Sequence, residues 1–458
     1  MYQPANIPLV NKTMPSNLTS LIICLFYVLN IFYLFYRTFT TENHSLFLVS
    51  DRSGLLFVAN LPLLYLLSAK NCPIRFLTGY SYEHTNIFHR RLGELLALLA
   101  IFHGIGMFFV YVPNLIERGE TLMSFLTHII VWTGISALLC YEILSLTSLA
   151  SFRQRCYELF LALHILLQAG GLAFLYFHLP GTRPYVLASL AILLIDRLFH
   201  RALLTRHTLK ADLTILPDGA TLLLSTSWPF PPSRFRSLSH DIKKGWAPTD
   251  HVFISIPALA HKHILQSHPF TIASAAPSPT NSHAWLDLLI RARKGFTADL
   301  LQYAKRHPRV AVAVDGPYGS DHARSTLRRA RLAVCVAGGS GIAVTFPLAW
   351  WLAHLDTEDR PRVVLVWVVR DARHLEWLGE GRMEDLRAKG VDVVVPPATM
   401  EGGRPDMCAL LAEAVGKEEG VRVVVSGPDE MNRDVRNWCA GRRGEGRDVG
   451  VAVEKFGW

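Results

Sequence analysis

Four histidines in apolar sequence could do chemistry that nothing else in this chain offers: His89 with His103, and His164 with His178, each pair 14 residues apart. A 14-residue step is about four helical turns, so both members of a pair face one way, roughly 21 Å apart along the axis. That rise fits inside a hydrocarbon core of about 30 Å. Ionisable residues at such depth are costly and are functional candidates by default. Two such helices side by side would present two stacked bis-histidine sites, whose natural ligand is a planar iron macrocycle. The chemistry implied is passage of electrons across a membrane. A single buried histidine is more simply a hydrogen-bonding group between helices, but two pairs at one spacing favour ligation. His44, His84, His128 and His200 lack such a partner and are read as loop or span-end residues.

The elements that must hold these residues are membrane helices. Of 458 residues, 50% are hydrophobic, and the apolar excess lies almost wholly before residue 200. Six apolar stretches are long enough to span, roughly 19–39, 47–68, 85–111, 122–147, 157–179 and 183–201. The first lacks a basic n-region and a small-residue cleavage site, so it is expected to be a span and not a removed signal peptide. Asp51, Arg52, Arg90, Arg91, Asp196 and Arg197 lie near span ends, whereas Glu94 lies deeper and needs a partner. Lys70 and Arg75, Arg153 and Arg155, and then Arg197, Arg201, Arg206 and Lys210 follow spans two, four and six. Those ends, and with them the N-terminus, are therefore expected in the cytosol. Sequons at Asn11 and Asn17 would be idle there. Spans three and five then run parallel, pairing His89 with His164 near the cytosolic side and His103 with His178 near the outer side. An antiparallel arrangement would exchange the partners.

The net charge of +9 suits a cytosolic face near anionic lipid and not nucleic acid, because no basic stripe is interleaved with stacking aromatics. Seven scattered cysteines without a CxxC exclude a disulfide scaffold and a zinc or iron–sulfur protein.

After His207 short alternating runs at 209–216, 220–227, 251–257, 284–293 and 309–314 suggest a small β-barrel. From about residue 330, strand-like runs at 331–336, 362–369, 391–395 and 421–426 alternate with helical stretches, the pattern of an open parallel sheet. Three motifs lie here. His268-Pro269-Phe270-Thr271 sets an aromatic beside a hydroxyl, which could bind a flavin ring, although alone it reads as a turn. Val336-Ala337-Gly338-Gly339-Ser340-Gly341-Ile342 joins a buried strand to a helix, where backbone and helix N-terminus could receive a pyrophosphate. Val344 replaces the third glycine of the full dinucleotide fingerprint. Asp315-Gly316-Pro317-Tyr318-Gly319 is by itself only a turn.

The order of these motifs is more specific than any one of them. HPFT, then Arg291 and Arg293-Lys294-Gly295-Phe296-Thr297, then DGPYG, AGGSGI and Ser426-Gly427-Pro428 resembles the ferredoxin–NADP reductase superfamily. Joined to the histidine-bearing spans, the chain resembles the fungal-type ferric reductases, relatives of the NADPH oxidases. The segments Asn60-Leu61-Pro62-Leu63-Leu64, Gly79-Tyr80-Ser81-Tyr82-Glu83 and Asn86-Ile87-Phe88-His89-Arg90 are especially similar to that family. The likeness runs from about residue 45 to the C-terminus.

The resemblance implies a multi-domain membrane protein: a tail over 1–18, a six-helix transmembrane haem bundle over 19–203, an FAD-binding β-barrel over 204–325 and an α/β NAD(P)H-binding domain over 326–458. It places the inner haem on His89 and His164 and the outer on His103 and His178. FAD falls to His268, Pro269, Phe270 and Thr271, with Arg291, Gly295 and Thr297 at its pyrophosphate and Phe456 or Trp458 beside the ring. NADPH falls to Gly338, Gly339, Gly341, Ser426, Gly427 and Pro428, with Arg370 at the 2′-phosphate, because a guanidinium fork can bind two oxygens. The implied activity is an NAD(P)H-dependent ferric-chelate reductase passing electrons through FAD and two haem b groups to ferric or cupric ions, with no acid–base residue required. An NADPH oxidase making superoxide, or a non-catalytic haem or nucleotide sensor, are the alternatives. The plasma membrane is expected, a vacuolar or other endomembrane being the alternative, with both cofactor domains cytosolic. Three departures stand out. Glu94 occupies the second arginine of the family's His-Arg-x-x-Gly-Arg, Ser426 replaces the cysteine of its Cys-Gly-Pro, and the N-terminal tail carries no sizeable outer domain.

Overall fold

The computed structural model describes residues 2–4, 15–38, 45–69, 82–119, 121–203, 206–230, 241–259, 263, 266–278, 281–355, 360–379 and 381–454, and within these every side chain but those of 82–84, 114, 116–118, 154 and 199–203. The chain divides into two compact units, Leu18–Ala202 and the remainder.

The first unit is helical, as it must be if it lies in lipid, where backbone polar groups find partners only within their own segment. Its long helices are α1 (Asn17–Phe35), α2 (Ser45–Ser68), α3 (Tyr82–Arg118), α4 (Ile129–Thr147), α5 (Tyr157–His178) and α6 (Arg183–Leu203). Among the described residues the first five are long and apolar enough to cross a membrane. The expected sixth span forms the helix α6, yet every 18-residue stretch of it includes three of Arg183, Asp196, Arg197 and Arg201, so composition alone does not make it a span. The fourth span is shorter than expected, because His128 turns extended (φ −61°, ψ 132°) and separates a short helix, Leu122–Thr127, from α4. Leu25, Phe109 and Leu166 face outward, while Phe57, Leu61, Leu96, Tyr141 and Leu172 fill the interior. Asn60 Nδ2 donates to Asn30 Oδ1 at 2.7 Å and so fastens α2 to α1.

The second unit begins with an antiparallel six-stranded sheet: β1 (Arg206–Ile215), β2 (Thr221–Pro229), β3 (His251–Ser255), β4 (His268–Thr271), β5 (His283–Arg291) and β6 (Arg309–Tyr318). The strand order is β4-β3-β6-β1-β2-β5, and a bridge from Ile272 to Leu288 joins the two outer strands into a barrel. Strand β4 was not among the expected strands. Pro269 is tolerated in it because β4 is hydrogen-bonded along its length to β3 alone. Helix α7 (Phe296–Ala304) seals the barrel core with Phe296 and Leu300.

There follow α8 (His322–Arg328), β7 (Leu332–Gly338), α9 (Ile342–Ala353), β8 (Arg362–Val368), α10 (Arg382–Ala388), β9 (Val391–Val394), α11 (Met407–Val415), β10 (Val421–Ser426), α12 (Asp429–Gly444) and β11 (Val449–Val453). The five strands are parallel in the order β11-β10-β7-β8-β9. All seven residues of β7 are buried, which is why it reads as an unbroken apolar run and not as an alternation. The chain leaves β7 for β8 on one side and later returns to β10 on the other. The crevice at the end of β7 is therefore the switch point where open α/β sheets bind ligands.

Candidate functional site

Helices α3 and α5 bring His103 and His178 together, with ring centres 6.1 Å apart and planes at 85°. A metal–imidazole bond of about 2 Å on each side, with roughly 1 Å from nitrogen to ring centre, would set two imidazoles that share one metal about 6 Å apart. The spacing therefore suits one iron held between them. His103 Nδ1 lies 2.8 Å from the Ser50 carbonyl, and His178 Nδ1 lies 2.8 Å from the Ile130 carbonyl. A carbonyl only accepts, so both Nδ1 atoms carry the proton and both Nε2 lone pairs are left for a metal. Room for the rings comes from two glycines one turn beyond those carbonyls. A Cβ on Gly54 would stand 2.7 Å from His103 Nδ1, and one on Gly134 would stand 2.6 Å from His178 Cε1.

His89 and His164 lie 14 residues before these, and they are within electrostatic reach of each other. His89 Nδ1 lies 2.9 Å from the Leu64 carbonyl, again one helical repeat of 14 from Ser50. His164 differs: its Nδ1 lies 3.3 Å from the Ser148 hydroxyl, which donates to the Leu144 carbonyl at 2.7 Å. Glu94 finds the partner that its depth required, since Arg91 Nη1 donates to both of its carboxylate oxygens at 2.6–2.7 Å.

In the barrel, β4 and the loop before α7 converge. His268 stacks on Phe296 (4.1 Å, 25°), and Phe270 lies 6.3 Å from the same ring. HPFT and the Arg293–Thr297 segment thus meet across one aromatic. Burial holds the His268 imidazole down at about 4, so it is neutral near pH 7. Arg291 ends β5 in the open, Gly295 has φ +62° at the start of α7, and Thr297 Oγ1 accepts from Arg293 N at 3.0 Å. The positive φ at Gly295 makes the turn into α7 possible, and a helix start of this kind suits an anion such as a pyrophosphate. Phe456 and Trp458 lie outside the described residues.

At the switch point, Gly338 to Gly341 adjoin Ser426 to Pro428. Their glycines serve packing first: a Cβ on Gly341 would fall 1.9 Å from the Ser426 carbonyl, and one on Gly338 2.7 Å from Pro428 Cδ. Gly339 differs, with φ +54° and open space where a Cβ would be. Helix α9 starts with no side-chain cap, and its first amide, Ile342 N, donates back into the Gly339–Gly341 turn. Arg370 lies exposed just after β8, the neighbour of β7, with its carbonyl bonded by Met400 N. A feature not foreseen from the sequence is the buried Asp287 carboxylate. It accepts from Ser225 Oγ and from Arg382 Nη2, both at 2.8 Å, and so ties the barrel to α10. A lone aspartate within an apolar strand was the one signal available.

Comparison with known proteins follows this division. Residues 53–176 match the family model described as ferric reductase like transmembrane component, and residues 237–322 match an FAD-binding domain. Ferric/cupric reductase transmembrane component 1 of Candida albicans is 27% identical over 78% of this chain and 44% of its own length. Ferric reductase transmembrane component 4 of Saccharomyces cerevisiae is 27% identical over 83% of this chain and 51% of its own. Ferric reductase transmembrane component 1 of Schizosaccharomyces pombe is 26% identical over 76% and 64%. The chain thus spans about half the length of the relatives it matches. His89, His103 and His164 fall inside the first match, His178 lies two residues beyond it, and the β4–α7 convergence falls inside the second; the chain is an integral membrane protein similar to the ferric reductase like transmembrane component over its helices and to an FAD-binding domain over part of its barrel.

Proposed function

We propose that this chain is a transmembrane metalloreductase that moves electrons from NADPH, through FAD and two b-type haems, to ferric or cupric ions on the far side of the membrane. The observation that carries the reading is the approach of His103 and His178, ring centres 6.1 Å apart, with each Nδ1 tied to a main-chain carbonyl. When bound, a flavin supplies the change from a two-electron donor to single electrons, and haem iron carries them one at a time. The chain's own residues bind and orient. His89 with His164 and His103 with His178 hold the two irons, and their Nδ1 partners fix each ring. Arg291, Gly295 and Thr297 receive the flavin pyrophosphate, while His268 to Thr271, with Phe456 or Trp458, flank its ring. Gly338, Gly339 and Gly341 face the nucleotide phosphates, Arg370 meets the 2′-phosphate, and Ser426 to Pro428 lie beside the nicotinamide. The printed names of the relatives support iron and copper as acceptors.

Support for a cytosolic N-terminus comes from the tail itself. Gln3 N donates to Asn437 Oδ1 at 2.8 Å, and Asn437 Nδ2 donates back to the Gln3 carbonyl at 3.0 Å. This clasp to α12 supports a tail on the same side as the nucleotide-binding domain, and with it the six crossings expected from the sequence. We place the protein in the plasma membrane, with both cofactor domains cytosolic.

The test is a reduced-minus-oxidised spectrum of membranes carrying the protein, then addition of NADPH with a ferric chelate outside. Two low-spin haems per chain and ferrous product support the reading. Absence of haem, or superoxide formed in place of ferrous iron, overturns it.

A further inference from the structure

The four histidines are held in one pattern with one exception. The carbonyls facing α3 come from Ser50 and Leu64, which are 14 residues apart on α2. By the same register the carbonyls facing α5 should be Ile130 and Leu144, also 14 apart on α4. Ile130 obeys. At Leu144 the Ser148 hydroxyl intervenes: it donates to the Leu144 carbonyl at 2.7 Å, which also accepts from Ser148 N at 3.0 Å and from Thr147 Oγ1 at 3.2 Å. The Ser148 hydroxyl has given its proton to Leu144, so it can only accept from His164 Nδ1, 3.3 Å away. The counterpart serine on α2, Ser68, donates to Tyr65 O at 2.9 Å instead and leaves Leu64 to His89.

We propose that Ser148 is a positioning residue for the inner haem: it relays the pull of the Leu144 carbonyl to His164 and thereby sets that haem's midpoint potential. The proposal rests on the reading that these histidines ligate haem. An acceptor on Nδ1–H makes the imidazole a more basic ligand, and a more basic ligand stabilises ferric over ferrous iron. A hydroxyl at 3.3 Å is a weaker acceptor than the carbonyls at 2.8–2.9 Å on the other three histidines. His164 is therefore the least electron-donating of the four ligands. The inner haem is left easier to reduce than it would be with four carbonyl-bound histidines. Removing the hydroxyl carries the change further in the same direction.

Redox titration of the purified full-length holoprotein tests this. In S148A one of the two haem midpoints should rise, with at least a threefold shift in ferric-to-ferrous ratio at fixed potential, about 28 mV at 59 mV per tenfold for one electron. The other midpoint should stay. S148T, which keeps the hydroxyl, should restore the wild-type value, and S68A should move neither midpoint. Unchanged midpoints in S148A, a fall in place of a rise, or an equal shift in S148T would overturn the relay. Should S148A lose the inner haem, S148C decides: its thiol is a weaker acceptor of similar size, so the midpoint rises if the relay exists and stays if it does not. Absence of bis-histidine haem from the unsubstituted protein would instead sink the reading on which the proposal rests.

Discussion

Replacing Gly134 or Gly54 by alanine exchanges one hydrogen for a methyl group, yet it should cost the protein its outer haem. A Cβ at Gly134 would stand 2.6 Å from His178 Cε1, and ordinary contact begins at 3.4 Å, so the ring must retreat by 3.4 − 2.6 = 0.8 Å. At Gly54 the retreat from His103 Nδ1 is 3.4 − 2.7 = 0.7 Å. Metal–ligand bonds tolerate about 0.2 Å, so a ring that retreats this far no longer ligates. If the helices part instead, overpacking costs roughly 1–3 kcal/mol. At about 1.4 kcal/mol per tenfold, this is roughly five- to 150-fold in occupancy of the site. The assay is haem per purified chain by pyridine haemochrome, with the low-spin fraction read from the visible spectrum. G134A and G54A should each fall from two low-spin haems towards one. G93A is the matched control, since its Cβ would meet only Leu64 Cδ1, at 3.9 Å, and it should retain both. Two intact low-spin haems in G134A and G54A alike would refute the assignment of the outer histidine pair.

Other expectations follow from the same geometry. H178L should abolish ferric-chelate reduction while stopped-flow reduction of the flavin by NADPH proceeds unchanged; equal loss of both steps in a folded variant contradicts the division of labour. R370A should raise the KM for NADPH about 10- to 100-fold, the worth of a charged hydrogen bond, and leave that for NADH alone; a parallel rise for both places the arginine elsewhere. His268 is lowered to about 4 in the folded protein by burial, so between pH 6.5 and 4 the unfolded chain binds the extra proton. Stability should therefore fall as pH drops through that window. H268F, which keeps the stack on Phe296, should show a shallower dependence of Tm on pH, and an unchanged slope would count against it. Asn17 should carry no glycan, so N17Q should leave gel mobility and its response to glycosidase unchanged, whereas loss of a glycosidase-sensitive shift in N17Q would put the N-terminus outside.

Much of the site was readable because its signals are local. The expected barrel strands at 209–216 and 309–314 lie within β1 and β6 but for one residue, because alternation with period two is visible in any short window. Strand β4 escaped because four residues with a proline carry no period. Strand β11 escaped because Gly450 breaks its apolar run; the Arg422 side chain lies over that glycine, its Cδ 2.8 Å from where a Cβ would be. The glycines at 338 and 341 read as phosphate-binding signals, and they also hold two strand ends in contact, which no motif distinguishes.

Spacing by itself determined that His89 and His103 share one helical face, as do His164 and His178, because helical periodicity is a property of the chain alone. Composition likewise determined where the lipid-embedded part gives way to strands. Only tertiary structure decided which carbonyl holds each ring, that Gly54 and Gly134 make room for two of them, and that Ser148 stands between His164 and Leu144. Those partners lie on separate helices, and the register between packed helices arises from side chains interlocking across the interface, which no local pattern along the sequence records.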